Sequence, residues 1–246
     1  MQTHRVLKQA LGHAVKWGLL QRNPANGVEA PPLQQSEMAA LSFDETRRLL
    51  KAVRGTEIDA LVHLAVYTGM RRSELLGLRW GDVKLEQAMV TIVRGLHALR
   101  GGELRYESPK SRHGRRPVEL SPAAVAVLAD HHKRMANHAA ALGFILTDET
   151  PVFVRPDFRP MLPDTVSHRY RQVAVGLGFS STGIHALRHT HATLMLQQGV
   201  HPLIVSRRLG HASVQITLDT YSHVVPSMQR EAAMSFEQGL RGDGGG

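Results

Sequence analysis

Four short clusters in the chain carry residue types that could do chemistry. In the first, TGMRRSELLGLRW at 68–80, Arg71 and Glu74 stand three apart, so both fall on one face of any helix that starts there. Alone, the pair reads as a surface ion pair of little energetic weight. The second, Ser108-Pro109-Lys110-Ser111-Arg112, places a lysine at a turn between two strands, where it would ordinarily be solvated. The third is His185-Ala186-Leu187-Arg188-His189-Thr190-His191. His185 and Arg188 share a helix face, and His185 and His189 have the i, i+4 spacing of a metal-ligand pair. No cysteine, no nearby carboxylate and no His-Glu-x-x-His spacing completes such a shell, so the expected metal content is none. His191 falls with Ile184, Leu187, Leu194 and Met195 on the apolar side and reads as a hydrogen-bonded core histidine. The fourth, RRLGHASVQITLDTYSH at 207–223, puts His211 after a Leu-Gly break and Tyr221 ten residues later.

The elements that must position these clusters follow from periodicity and punctuation. Residues 1 to about 20 read as one helix, with Leu7, Leu11, Ala14 and Val15 at helical spacing, closed by Asn23-Pro24 and a linker at Ala30-Pro31-Pro32. A single helix of that kind cannot bury its apolar face alone. The expected organisation is therefore a remnant (last helix and linker) of an N-terminal domain over 1–35, a main domain over 36–240, and a flexible glycine-rich tail over 241–246. Ser42 and Glu45 form a capping box opening a helix that runs through Leu61, Leu64 and Ala65 to Thr68-Gly69. MVTIV, LRYES and RRPVEL predict a three-stranded antiparallel sheet between Met89 and Leu120. Ser121 and Pro122 then start a helix, and Asp164 caps another with Val166, Tyr170, Val173 and Leu177 inward. Further helices are expected over 184–198, 202–209, around Tyr221 and over 226–240. The last carries Met228, Ala232, Phe236 and Leu240 at every fourth position. The fold class is α+β, mainly α, with one small sheet.

Composition narrows the function classes. The 246 residues hold 30 Lys and Arg against 21 Asp and Glu, a formal charge of +9, and no cysteine. A basic balance favours a polyanion, nucleic acid first. Disulfide scaffolds and thiolate chemistry are excluded. No apolar run suits a membrane span or signal peptide, so no membrane partner and a cytoplasmic address are expected.

The three boxes TGMRRSELLGL, HALRHTHATLML and LGHASVQITLDTYSH, in that order and separation, resemble the tyrosine recombinase or phage integrase family over roughly residues 40–236. The resemblance implies that family's catalytic fold, and it implies catalytic roles for Arg71, Lys110, His185, Arg188, His211 and the nucleophile Tyr221. Arg112, Arg115 and Arg116 stand as alternatives for the basic position given to Lys110. Glu74 would orient Arg71 or a neighbouring histidine. It further implies DNA strand cleavage through a 3′-phosphotyrosyl bond, with no cofactor, metal or ATP. The implied partner is a double-stranded DNA attachment site, bound by a homotetramer of a chain monomeric in isolation, with DNA-bending accessory factors as further candidates. A type IB topoisomerase-like activity and a DNA-binding module without turnover are the alternative readings. The 226–240 helix would dock on a neighbouring protomer or pack back on its own domain. Of the 15 histidines, two are assigned to the site and most of the rest are expected on a solvated surface.

Overall fold

The computed structural model describes residues 2–28, 40–99, 101–109, 114–179, 183–221, 233–234, 236–237 and 240. The chain divides into two compact units, Met1–Glu37 and Met38–Gly246. In the first, α1 (Gln2–Lys16) ends earlier than the sequence suggests. The chain leaves it at Gly18, whose φ of 72° is open to glycine at little cost. Asn23 then folds the next turn back, its Nδ2 donating to Lys8 O at 2.8 Å and its Oδ1 accepting from Ala25 N at 2.9 Å.

In the second unit α2 (Phe43–Ala52) opens on the expected capping box: Ser42 N donates to Glu45 Oε2 at 2.8 Å, and Glu45 N donates to Ser42 Oγ at 3.2 Å. The single helix expected to run on to Thr68 is two helices, because the chain turns at Gly55 with φ 75°. α3 (Asp59–Thr68) follows, apolar on nearly every face, and eight of its ten residues are buried. It closes on Gly69, left-handed at φ 65°, ψ 17°. α4 (Arg72–Gly77) begins three residues later with Arg71 as its N-cap.

The sheet is rearranged relative to expectation. β1 (Val83–Lys84), β2 (Met89–Ile92) and β5 (Arg116–Glu119) form the three-stranded antiparallel sheet in the order β1-β2-β5, while β3 (Gly95–Ala98) and β4 (Leu104–Glu107) form a separate hairpin. LRYE therefore pairs with GLHA, Leu96 opposite Tyr106, rather than with MVTI. The two-residue β1 is too short to show a periodic signal, and β3 begins on glycine; both escaped the pattern. Pro117 is tolerated opposite Thr91 because β5 lies at the sheet edge.

Helices complete the unit. Ser121 caps α5 (Pro122–Ala141), its Oγ accepting from Ala124 N at 3.3 Å. α6 (Pro163–Gly176) buries Val166, Tyr170 and Ala174; its N-cap is Leu162, and Asp164 lies in the first turn rather than capping it. α7 (Ala186–Gln197), α8 (Pro202–Leu209) and α9 (Val214–Tyr221) follow. The main core gathers Leu49, Leu61, Leu75, Ile92, Leu128 and Leu187, and a smaller one joins Ala192, Leu196, Val205 and Leu209. The architecture is α+β, mainly α, as the sequence indicates. The tail, Met228 and Ala232 lie outside the described residues; Phe236 and Leu240 are exposed. No helix among the described residues is long and apolar enough to cross a membrane.

Gly69 sits where no side chain fits. A Cβ there would lie 2.5 Å from Leu209 Cδ2 and 2.7 Å from His191 Cδ2, and the left-handed φ adds strain. Gly69→Ala should lower unfolding free energy by about 2–4 kcal/mol in urea titration; Gly55→Ala, left-handed but open on every side, should cost about 1 kcal/mol.

Candidate functional site

Two helices end with their last carbonyls pointing at one place. α3 ends at Gly69 and α8 at Gly210, the latter left-handed at φ 67°, ψ 45°. Helix C-termini leave carbonyls without intrahelical donors and carry partial negative charge. Arg188, in the first turn of α7, satisfies both ends: Nη1 donates to Gly69 O at 2.9 Å and Nη2 to Leu209 O at 2.8 Å. The turn that launches Arg71 and the turn that launches His211 are thus fixed by one guanidinium.

Arg71 is held by Glu74. Its backbone N donates to Glu74 Oε2 and its Nη1 to Glu74 Oε1, both at 2.8 Å. The exposed ion pair suggested by spacing alone is not what forms, because Glu74 is buried and receives a second guanidinium. Arg116, equally buried, donates Nη1 to Oε1 and Nη2 to Oε2 at 3.1 Å each. Burial would raise the Glu74 carboxyl, but the two Arg116 hydrogen bonds and charge, with Arg71 behind them, hold it below the usual carboxylate value.

His211 follows Gly210 and is tied to α9, its Nδ1 lying 2.7 Å from Thr217 Oγ1. Burial, then the charges of Arg188, Arg71 and Arg116, push it down to about 4. His185 is the N-cap of α7 and is lowered by burial and by Arg72, Arg188 and Arg71. His189 is lowered by burial and by Arg188 and His185. All three are therefore neutral imidazoles near pH 7. A cleft of about 370 Å³ opens over this ground, lined by Arg71, Glu74, Arg94, His97, Ser108 and Gly210 among others.

Of the sequence-derived candidates, the structure brings Arg71, Glu74, His185, Arg188 and His211 into one electrostatically coupled group. Tyr221 is the last residue of α9, the helix whose Thr217 meets His211; its side chain lies outside the described residues. Lys110 also lies outside them, as does Arg112, between β4 and β5. Arg115 reaches Ser108 Oγ at 3.2 Å from an exposed position, whereas Arg116 is buried against Glu74 and faces no solvent. The i, i+4 pair His185 and His189 gains no third ligand: no group of three or more His, Asp or Glu among the described residues could hold a metal ion.

Of the remaining described histidines, His13, His97, His138, His168 and His201 are exposed as expected, whereas His63 is buried and His131 stacks against Phe153 with Nε2 2.7 Å from Val152 O. His191 is the core histidine anticipated. Its Nδ1 lies 2.8 Å from Val66 O, and its Nε2 accepts from Arg208 Nε at 3.2 Å. That acceptor role requires neutral imidazole, and burial and Arg208 push His191 down to about 4. Arg116 was the residue missed as a structural one. In RRPVEL the strand alternation puts Arg116 on the same side as Val118, and an inward charge on a half-buried strand demands a partner.

The fold matches solved recombinase and integrase chains. The Tn1549 transposon integrase, solved in complex with a circular intermediate DNA, superposes with TM-score 0.78 at 20% identity over 93% of this chain and 78% of that one. The XerA recombinase gives 0.63 at 24% identity over 91% and 73%. Residues 39–228 match the Phage integrase family, and the chain belongs to it. A XerC-like tyrosine recombinase of Caldanaerobacter subterraneus subsp. tengcongensis is 28% identical over 92% of this chain, and the ICEBs1 integrase of Bacillus subtilis is 25% identical over 92%. The chain spans 62% of the length of each of these two relatives.

Two histidines held near 4 make stability depend on acid. Below the ordinary value of 6.5 the unfolded chain takes protons that folded His191 and His211 refuse, so stability is full above about pH 6.5 and falls towards pH 4. Urea unfolding at about pH 7.5 and about pH 4.5 should differ by about 3 kcal/mol from His191 alone. His191→Gln should flatten that slope.

Proposed function

We propose that this chain is the catalytic part of a site-specific DNA recombinase of a mobile element, cleaving and rejoining strands through a 3′-phosphotyrosyl intermediate. The observation that carries the reading is the electrostatic coupling of Arg71, Arg188, His185 and His211, with Arg71 lining a cleft, in a chain of the Phage integrase family. Its substrate is a double-stranded DNA attachment site, and residues 1–35 are the last helix and linker of a DNA-clamping domain. Assembly is a homotetramer on DNA from monomers in solution. Accessory DNA-bending factors and a cytoplasmic location complete the proposal.

The chemistry starts from a weak nucleophile. A phenol of pKa near 10 is ionised only about once in a thousand molecules at pH 7, so Tyr221 needs a base. His185, kept neutral by burial and three arginines, is available to take the proton. The Tyr221 oxygen attacks phosphorus, the bond to the 5′-oxygen breaks, and Lys110 supplies that oxygen's proton. Arg71 and Arg188 donate to the non-bridging oxygens, where negative charge concentrates. His211 adds a neutral donor in the tautomer whose Nδ1 accepts from Thr217 Oγ1 and whose proton is on Nε2. Each such donor is worth roughly 10²–10³ in rate. The phosphotyrosyl linkage conserves bond energy, so a 5′-hydroxyl can reverse the step without ATP.

The test is a pool of nicked duplexes of randomised sequence, incubated with the chain in EDTA and resolved under denaturing conditions. A protein–DNA adduct should form and should vanish in Tyr221→Phe. Arg188→Ala should lower adduct formation by roughly 10²-fold or more while changing DNA affinity only modestly, since distributed phosphate contacts dominate binding. Cleavage that demands a divalent ion, or an adduct that survives Tyr221→Phe, overturns the reading. Binding without any adduct favours a module without turnover.

A further inference from the structure

Among the described residues, Arg116 is the one buried arginine, and it joins three segments of the second unit. Besides its two bonds to Glu74, it donates Nη1 to Gly114 O at 3.2 Å and Nε to Arg208 O at 2.7 Å. Gly114 lies two residues before β5, and Arg208 O belongs to the last turn of α8, three residues before His211. Glu74 belongs to Arg71. A flexible ammonium could not do this, because only a planar fork presents donors in fixed directions to a carboxylate and to two carbonyls at once.

The charge balance adds a second consequence. Glu74 carries one negative charge and meets two guanidiniums. If Arg71 faced Glu74 alone, the pair would be neutral and would hold little attraction for an anion. Because Arg116 takes both carboxylate oxygens, the cluster keeps one net positive charge, and Arg71, 40% exposed at its side chain, is the member that presents it to the cleft.

We propose that Arg116 is a positioning residue for the recombinase site: it neutralises Glu74 so that the charge of Arg71 stays available to a phosphate, and it registers the His211 turn against Arg71. The inference rests on the functional reading above for its biological meaning, but its physical content does not require DNA cleavage. It makes Arg116 a determinant of anion affinity and of the electrostatic surroundings of His211, which faces Arg188, Arg71, Arg116 and His189.

The experiment uses the whole chain and two variants, Arg116→Lys and Arg116→Gln, each checked for a cooperative thermal transition. The His211 ring resonance is followed by NMR during titration with inorganic phosphate. Arg116→Gln should weaken phosphate about tenfold, the equivalent of one lost charge-assisted hydrogen bond, and should raise the His211 titration midpoint. Arg116→Lys keeps the charge without the fork, so phosphate affinity should largely recover while adduct formation on nicked duplexes stays about tenfold or more below the parent. Adding Glu74→Gln to Arg116→Gln should restore part of the phosphate affinity, a rescue that a purely structural pair would not give. Unchanged phosphate affinity and His211 midpoint in a folded Arg116→Gln variant overturn the proposal. Failure of the parent chain to form any adduct overturns the recombinase reading instead, and leaves the phosphate titration intact.

Discussion

Positive charge can be concentrated inside a protein only if each guanidinium has acceptors for the donors it does not offer to a ligand. That constraint organises this site. Arg188 places two donors on the ends of α3 and α8. Arg71 places one guanidinium donor and its backbone N–H on Glu74, and Arg116 places its donors on Glu74, Gly114 O and Arg208 O. Three of the carbonyl acceptors, Gly69 O, Leu209 O and Arg208 O, lie at helix ends, dipolar groups whose negative ends attract the guanidiniums without cancelling their net charge. Glu74 is the only carboxylate among these recorded acceptors. The result is a cluster whose guanidiniums are anchored by hydrogen bonds and which is still cationic.

The same field sets the histidines. Arg188 and Arg71 act on both His185 and His211, and neither imidazole can easily take a proton beside them. A protonated ring would add charge to an already positive group; a neutral ring offers one donor and one acceptor. The arginines therefore keep both histidines in the neutral form. An anion placed beside them would relieve the field that suppresses protonation.

Much of this was legible in the chain before the fold was known. Ser42 and Glu45, Ser121 and Pro122, and the core placement of His191 rest on local chemistry that tertiary context did not alter. The candidate site residues were singled out by the order of three boxes, which local physics alone could not rank. What escaped depends on distant partners. Glu74 looked like half of a surface pair because its second guanidinium lies 42 positions away. The strand pairing was misjudged because the third strand of the sheet is two residues long and the partner of LRYE begins on Gly95, which has no side chain to show a pattern. Asp164 has a capping residue type, but Pro163 already occupies the first helical position and moves the cap to Leu162.

The site residues share one more property, which the core does not explain. Arg71 and His185 are N-caps, Arg188 lies in a first turn, His211 follows a left-handed glycine, and Tyr221 is the last residue of α9. Chemistry is thus assembled from helix ends, where side chains converge without entering the packed interior. Helix ends are held by turn geometry and a few hydrogen bonds rather than by burial. Their mutual register then depends on the groups that cross between them, Arg188 between α3 and α8, and Arg116 between α4 and α8. A shift of one such end would move a donor by a fraction of an ångström while leaving the main core intact, and donors aimed at a transition state lose much of their value over that distance. In this arrangement Arg71 and Arg116, both bound to Glu74, are not told apart by residue type; they are told apart by exposure, 40% for the Arg71 side chain against 6% for Arg116.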